Sequence, residues 1–372
     1  MKSSLKFILA SLLPIAGVFM FASQTNAANP GFVSVSGTEL WLDGSRLMPV
    51  GINHLDNISL WSSTSTIPNS KWITKKDFAD FKAAGFNSVR LAVKSDYFQD
   101  VKPPHRFSAK GFVWLDTIIG YAKANNIKLV LDMHIPTGGM AQDYNVYPEN
   151  QVFWNDAWLK GRYVDVWREI ARRYANEKTI WGYDIMNEPA TWDFETYQKL
   201  MQATTRSIRL YDKNHILIVQ PGMVMKDNLP YFVYPEIQDP QVARSIHFYQ
   251  PLGFTHQNVS WGVNGAAVIA TYPSAAWKAD AVYNALKKVW ESAEPDKFPV
   301  ILFEFGTVFQ NKNTGQPLWI QDVIRASKKL GMGWHYWNYK GPTYDSSLVL
   351  TVPGGKPRPI TWKILSEEAK KK

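Results

Sequence analysis

The stretch Ile127-Lys128-Leu129-Val130-Leu131-Asp132-Met133-His134 places a run of apolar residues directly before a carboxylate and an imidazole. Such a short, nearly continuous apolar run is typical of a strand that is buried on both faces, as in a parallel sheet. An apolar strand that ends on charged side chains is costly unless those side chains face a solvent-filled pocket. The stretch therefore predicts a parallel strand whose carboxyl end opens on a polar site.

The same pattern recurs along the chain, and segments with helical spacing of apolar residues separate most of the strand-like runs. The predicted strands are Leu47–His54, Asn87–Val93, Lys128–His134, Ile180–Glu188, His215–Pro221, Val242–Tyr249, Pro299–Gly306 and Gly331–Tyr339. The predicted helices are Lys75–Ala84, Phe112–Asn126, Trp158–Asn176, Glu195–Tyr211, Ala276–Ala293 and Leu318–Leu330. Eight such units in one α/β domain predict a (β/α)₈ TIM barrel.

An open doubly wound sheet is the alternative fold, but no Gly-rich phosphate or dinucleotide loop follows the first predicted strand. Residues 32–46 alternate in polarity around Asp43-Gly44, which predicts a short N-terminal β-hairpin. Residues 252–274 contain proline and glycine and predict a long loop. We find no linker composition after the N-terminus, and we therefore assign residues 28–372 to a single catalytic barrel.

The first residues have the three-part pattern of a secretory signal peptide. Lys2 and Lys6 are basic, residues 7–21 are mostly apolar, and Thr25-Asn26-Ala27 offers small residues for cleavage. The apolar run is shorter than the roughly 20 residues of a membrane span. We therefore expect residues 1–27 to be a signal peptide and the protein to be secreted or periplasmic, with no stable membrane span after cleavage. A retained N-terminal anchor is the alternative.

Composition excludes several classes of function. The 372 residues include no cysteine, which excludes disulfide bonds, thiolate metal sites and a cysteine nucleophile. The net charge is +9, but the basic residues are scattered, and a nucleic-acid footprint would be a stripe or a patch. We expect no nucleic-acid partner, and we expect a monomer.

Polar residues gather at the ends of the predicted strands, where the loops of a barrel build its active site. Glu188 and Glu304 end the fourth and seventh strands and would share one rim. A facing pair of carboxylates is what glycoside hydrolysis needs, one protonated and the other ionised. Arg90 and the Tyr249 hydroxyl would stabilise an ionised carboxylate.

Other interpretations of these residues stay open. Glu304 could form a structural buried ion pair with Arg90. A metal site through Asp132, His134 and His247 is possible but lacks a recognised ligand spacing. Serine hydrolase chemistry lacks its Gly-x-Ser-x-Gly motif. An exported sugar-binding protein without catalysis would have no need for two opposed carboxylates.

Taken together, the strand-end motifs resemble glycoside hydrolase family 5, the cellulase-type retaining glycosidases. The matching segments are Asn87-Ser88-Val89-Arg90, Asp132-Met133-His134, Ile185-Met186-Asn187-Glu188-Pro189, Ser245-Ile246-His247-Phe248-Tyr249, Phe303-Glu304-Phe305-Gly306 and Trp334-His335-Tyr336-Trp337.

The resemblance implies a role for each matching residue, and it implies no cofactor or metal. Glu188 would be the general acid/base and Glu304 the nucleophile. Arg90 and Tyr249 would hold Glu304, and Asn187 would hydrogen-bond the sugar 2-hydroxyl. The other binding residues would be His134 and His247, which line the subsite where the bond breaks, and Trp337, which stacks under that sugar.

The implied substrate is a β-linked polysaccharide or oligosaccharide, and we expect an endo-β-1,4-glucanase. A β-mannanase or an exo-β-glucanase or β-glucosidase of the same family is the alternative. Several aromatic residues in predicted loops could stack further sugars or pack the loops down. They are Trp61, Trp72, Tyr144, Tyr147, Trp192, Phe254 and Trp261.

Overall fold

The structure of the protein is a computed structural model, which describes residues 29–55, 72–100, 102–137, 152–226, 229–257, 269, 271–309, 314–341, 348–352 and 354–371. The expected signal peptide, residues 1–27, lies outside the described residues. None of the helices in the described part is long and apolar enough to cross a membrane.

Eight parallel strands close into a barrel, as the sequence predicts. The strands within the described residues are β1 (Val33–Ser36), β2 (Glu39–Leu42), β3 (Ser45–Leu47), β4 (Val50–His54), β5 (Ser88–Lys94), β6 (Lys128–Ile135), β7 (Ile180–Asp184), β8 (Ala190–Thr191), β9 (Ile216–Val219), β10 (Gly222–Lys226), β11 (Leu229–Val233), β12 (Val242–His247), β13 (Val300–Glu304) and β14 (Trp334–Tyr336). The barrel runs β4, β5, β6, β7, β9, β12, β13, β14 and closes between β14 and β4. Each barrel strand overlaps its predicted segment.

Seven of the eight barrel strands are followed by a long helix. These helices are Lys75–Ala84, Ala109–Ala124, Ala157–Tyr174, Phe194–Arg209, Ala279–Ser292, Gln316–Lys329 and Pro359–Lys370. Short helical turns cover Ser95–Tyr97, Val152–Asn155 and Leu252–Thr255. After β9 the chain instead forms an antiparallel hairpin, β10–β11, which the sequence analysis did not predict.

The helix Lys75–Ala84 begins and ends where the sequence predicts because capping residues lie at both of its ends. Thr74 and Asp77 form a capping box at its start, so that side chains satisfy two free backbone N–H groups. Gly85 ends the helix in the left-handed conformation with φ 94°, which glycine adopts without a steric cost. The predicted and observed bounds are identical.

The N-terminal segment forms three strands rather than the predicted hairpin. The expected turn at Asp43-Gly44 joins β2 to β3, and a second turn at Gly37, with φ 60°, joins β1 to β2. Val33 and Leu40 of this small sheet pack against apolar residues inside the barrel. The sheet therefore closes the end of the barrel opposite the strand carboxyl ends.

Alternation along the strands separates the two layers of the core. In β6, Leu129, Leu131 and Met133 pack in the cluster shared with the helices, whereas Val130 packs inside the barrel. Asp132 is therefore placed to face the interior, two residues closer to the carboxyl end. The apolar interior thus gives way to polar residues at the open end.

Candidate active site

Arg90 is the centre of a buried charge network at the open end of the barrel. The side chain is fully buried, and Nε donates to Asp184 Oδ2 at 2.8 Å. Nη1 donates to Glu304 Oε1 at 2.7 Å, and Nη2 donates to Asn187 Oδ1 at 2.7 Å. Nη2 also lies 3.1 Å from Asp132 Oδ1. Burial alone would lower the pKa of Arg90, but the surrounding carboxylates outweigh it and raise that pKa.

Asp184 and Gln220 connect this charge network to the backbone of Glu188. Burial raises the pKa of Asp184 to about 6, although the neighbouring Arg90 opposes that shift. Gln220 Nε2 donates to both carboxylate oxygens of Asp184, at 3.1 and 2.9 Å. Gln220 Oε1 accepts from the backbone N–H of Glu188 at 2.9 Å. The amide of Gln220 therefore holds the backbone of Glu188 against the buried network.

Glu304 is held from both sides by donors. Its Oε1 accepts from Arg90, and its Oε2 accepts from the Tyr249 hydroxyl at 2.8 Å. Burial and the adjacent Glu304 carboxylate raise the pKa of Tyr249 well above 10, so the phenol stays protonated and remains a donor. Glu304 is only 4% exposed, and its two oxygens each have a fixed donor. This arrangement stabilises an ionised carboxylate.

Glu188 lies opposite Glu304, and His247 lies between them. Glu188 has a backbone φ of 39°, and its side chain is 29% exposed. His247 Nδ1 lies 2.6 Å from Glu188 Oε1 and 3.5 Å from Glu304 Oε2. Burial alone would lower the pKa of His247, but Glu304 and Glu188 outweigh it and raise the pKa above 6.5. One oxygen of each carboxylate and the His247 nitrogen all lie within 4.8 Å of one another.

The predicted metal alternative does not match the geometry. His134 Nδ1 lies 2.8 Å from Asp132 Oδ2, and His134 Nε2 lies 3.3 Å from Asn187 Nδ2. Both ring nitrogens are therefore taken up by protein partners, and Asp132 also pairs with Arg90. In the described part of the chain, the residues that reach metal-ligand spacing are Glu188, His247 and Glu304.

Trp337 directly follows β14 at the open end of the barrel, and its backbone N–H donates to Phe305 O, the residue after Glu304, at 2.9 Å. Its ring stacks on the His134 ring with centroids 5.0 Å apart and planes 12° from parallel. Apolar side chains from several strand ends, including Leu55, Ile135 and Val308, pack around it. The indole is therefore fixed in orientation beside the two carboxylates.

A cleft of about 290 Å³ adjoins Glu188. It is lined by Glu188, Pro189, Gln220, Pro221, Met223, Phe232, Ser245, His247, Tyr249, Gln250 and Leu252. The cleft is concave, largely apolar and carries a few polar groups, as is usual for a small-molecule site.

The loop aromatics divide into three groups. Trp61, Tyr144, Tyr147 and Trp261 lie outside the described residues. Trp72 and Phe254 are 6% and 0% exposed and belong to the core, so the prediction that they could stack sugars is wrong for both. Their rings pack the loops down, which was the alternative. Trp192 is partly exposed.

The profile of the family described as cellulase (glycosyl hydrolase family 5) matches residues 49–342, most of the chain. The chain belongs to glycoside hydrolase family 5. Endoglucanase C of Acetivibrio thermocellus is 27% identical over 321 residues, which cover 79% of this chain and 92% of that protein. This family-5 chain is accordingly an O-glycosyl hydrolase of the cellulase type.

Solved structures share the fold of this family-5 enzyme. Cel5A of Thermotoga maritima, solved with a mannotriose substrate, aligns with a TM-score of 0.67 at 22% identity, covering 86% of this chain and 97% of the other. Cellulose synthase subunit Z of Clostridioides difficile aligns with a TM-score of 0.66 at 21% identity, covering 86% and 99%. Both similarities support the barrel architecture.

The structure brings the predicted site residues of the family-5 enzyme together at one end of the barrel. They are Glu188, Glu304, Arg90, His134, Asn187, His247, Tyr249 and Trp337. The sequence analysis missed Asp184, Gln220 and Asn53, which is fully buried and accepts from Arg90 Nη1 at 3.0 Å. Each lies at or just after the carboxyl end of a barrel strand, so the strand-end criterion could have found all three.

Proposed function

We propose that the enzyme is an endo-β-1,4-glucanase that cleaves by double displacement, with Glu304 as nucleophile and Glu188 as general acid/base. The observation that carries the proposal is the approach of the two carboxylates, with one oxygen of each within 4.8 Å of the other. Retaining glycosidases hold their carboxyl groups about 5–5.5 Å apart, whereas inverting enzymes hold them about 6.5–9.5 Å apart. The short separation leaves no room for a water molecule between Glu304 and the sugar.

The environments of the two carboxylates support their different roles. Glu304 is buried and accepts from Arg90 and Tyr249, which favours the ionised form that a nucleophile requires. Glu188 is more exposed, at 29%, and borders the cleft. It is the better placed of the two to exchange protons with a leaving group and with water.

The chemical steps follow from these positions. A Glu304 oxygen attacks the anomeric carbon while the bond to the leaving oxygen breaks, and Glu188 gives its proton to that oxygen. The product is a glycosyl ester on Glu304. Glu188, now ionised, takes a proton from water as the water oxygen attacks the same carbon and releases Glu304. Two inversions leave the β configuration unchanged.

The remaining residues would position the sugar. Asn187 accepts from Arg90 through Oδ1, and its Nδ2 lies against His134 Nε2, so the second N–H of Nδ2 is the donor that remains for the sugar 2-hydroxyl. Trp337, stacked on His134, would support the apolar face of the same sugar. His247 bridges the two carboxylates and would hold Glu188 in place between the steps.

The similarity to Endoglucanase C supports a β-1,4-glucan as substrate. We further propose that the protein carries a signal peptide at residues 1–27 and acts on polysaccharide as a secreted or periplasmic monomer, with residues 28–372 as its catalytic part. A β-mannanase or an exo-acting β-glucanase would use the same machinery on another substrate or at a chain end.

The test is the release of reducing sugar from carboxymethylcellulose, mixed-linkage glucan, mannan and xylan. We expect cleavage of the two glucans and a loss of several orders of magnitude in Glu304→Ala and Glu188→Ala. Glu195→Ala is the matched control, since that side chain is 73% exposed on a helix, and it should retain full activity. Cleavage of mannan alone, or only of chain ends, would contradict the endoglucanase assignment.

The products formed with added azide distinguish the nucleophile from the general acid/base. In Glu304→Ala, azide would attack in place of the missing carboxylate and give the α-glycosyl azide by a single inversion. In Glu188→Ala, azide would attack the intermediate on Glu304 and give the β-glycosyl azide. The reverse pattern would exchange the roles of the two residues.

A further inference from the structure

The hairpin β10–β11 is attached directly to the segment that follows Glu188. Met223 N donates to Pro189 O at 2.7 Å, and β10 pairs in parallel with β8 through Met223 and Ala190. The hairpin occupies the place after β9 where the other barrel strands are followed by a helix. Its position relative to Glu188 is therefore fixed by backbone hydrogen bonds.

One face of this hairpin forms a wall of the cleft beside Glu188. Met223 and Phe232 are directly paired across the two strands, so their side chains share a face, and both line the cleft. Phe232 is 64% exposed, so most of its ring is open to a molecule in the cleft. Tyr231, the residue before Phe232, belongs to the other face of the hairpin and is not among the residues that line the cleft.

The floor of the cleft carries polar groups that the protein does not satisfy. Ser245 is fully buried and lines the cleft, and its Oγ has no hydrogen-bond partner among the described residues. His247 Nε2 is buried in the same floor and likewise lacks a described partner. An aromatic wall beside accessible polar side chains of the cleft lining, such as Glu188 and Gln250, suits a ligand with an apolar face and polar edges, which is the character of a pyranose ring.

We propose that Phe232, supported by Met223, is the platform for the sugar on the leaving-group side of the cleaved bond. This inference rests on the proposed function, in which Glu188 protonates the leaving oxygen. The described residues that line the cleft include Glu188 but not Trp337, so we place the departing sugar in the cleft and the reacting sugar beside Trp337. Phe232 thereby selects substrates that extend beyond the cleaved bond.

The test compares two substrates that differ in what they place in the cleft. Cellotetraose leaves a sugar there, whereas β-cellobiosyl fluoride leaves only fluoride when the C1–F bond breaks and the ester on Glu304 forms. For Phe232→Ala we expect kcat/KM on cellotetraose to fall about tenfold, with a smaller loss, under about twofold, on the fluoride. Phe232→Trp should restore most of the activity on cellotetraose.

Tyr231→Ala is the matched control, because it removes an exposed aromatic ring from the adjacent residue of the same strand. It should leave both substrates within about twofold of the wild type. Transfer of the cellobiosyl group to added cellobiose should also decrease in Phe232→Ala, since the acceptor sugar enters through the same cleft.

An equal loss on both substrates would overturn the proposal, because Phe232 would then act through the fold of the hairpin. No loss on either substrate would overturn it as well. If the wild type cleaves neither glucoside, the same comparison with mannotetraose and β-mannobiosyl fluoride separates a wrong glucanase assignment from a wrong role for Phe232. A wild type that cleaves none of the four substrates contradicts both proposals.

Discussion

The hydroxyl of Tyr249 donates to Oε2 of Glu304 at 2.8 Å, and Arg90 donates to the other oxygen of the same carboxylate. The two donors come from different parts of the barrel, the loop after β12 and the middle of β5. Together they hold both oxygens of Glu304 and fix the orientation of its carboxylate. This geometry suits the nucleophile role that we propose for Glu304.

Removing the Tyr249 hydroxyl tests its contribution to Glu304. A hydrogen bond to a charged group is worth about 1.5–3 kcal/mol, so Tyr249→Phe should lower kcat/KM by roughly 10- to 100-fold while the thermal midpoint changes little. The measurement is steady-state kinetics on a cello-oligosaccharide. Tyr211→Phe, at an exposed position, is the control. An unchanged kcat/KM would show that Arg90 alone holds the nucleophile.

Arg90 should be essential for stability as well as activity. Arg90→Leu would leave Asp132, Asp184 and Glu304 buried without their cation, at a cost of about 3–5 kcal/mol. We expect the thermal midpoint to fall by roughly 5–15 °C in a melting experiment. Arg168→Ala breaks an exposed pair and should change the midpoint by less than about 2 °C. Similar midpoints for the two variants would refute the network.

The raised pKa of His247 predicts a pH-dependent contribution to stability. The folded state binds the proton more tightly than the unfolded state, whose histidine pKa is near 6.5. The stabilisation is therefore complete below about pH 6.5 and is lost as the pH rises through the higher folded-state value. The free energy of unfolding of the wild type minus that of His247→Gln should decrease as the pH rises above about 6.5. A difference that grows with pH would contradict the assigned shift.

Gln220 should act as a positioning residue for Glu188. Gln220→Met keeps the size of the side chain but removes the bonds to the Glu188 backbone and to Asp184. We expect kcat to fall about tenfold with a smaller change in KM, because the proton-transfer geometry is disturbed while the sugar contacts remain. A change in KM alone would indicate a substrate-binding role.

The barrel is predictable from the sequence because strand burial and helical spacing are local properties. The run from Ile127 to Leu131 is nearly continuously apolar, which can be read from these residues alone, and it predicts the strand that the structure shows at Lys128–Ile135. The helix Lys75–Ala84 begins and ends on residues that cap it. The predicted strand Ile180–Glu188 is too long, because the chain leaves the sheet after Asp184 and turns to present Glu188.

Two features of the site depend on contacts between distant segments and are not visible locally. Gln220 supports a residue 32 positions away, and its strand-end position is the only local signal of that role. The hairpin β10–β11 replaces a helix after β9, and its pairing with Ala190 and Thr191 defines the cleft wall. Phe232 therefore has a role that only the assembled structure suggests.

The most direct test of the central claim is to trap the covalent intermediate. A 2-deoxy-2-fluoro-β-cellobiosyl donor with a good leaving group forms the glycosyl ester but releases it slowly, because fluorine destabilises the transition state of the second step. We predict one added disaccharide per protein by intact mass, located on Glu304 by peptide mapping. An ester on Glu188, or an unlabelled enzyme that still hydrolyses the unfluorinated donor, would contradict the account.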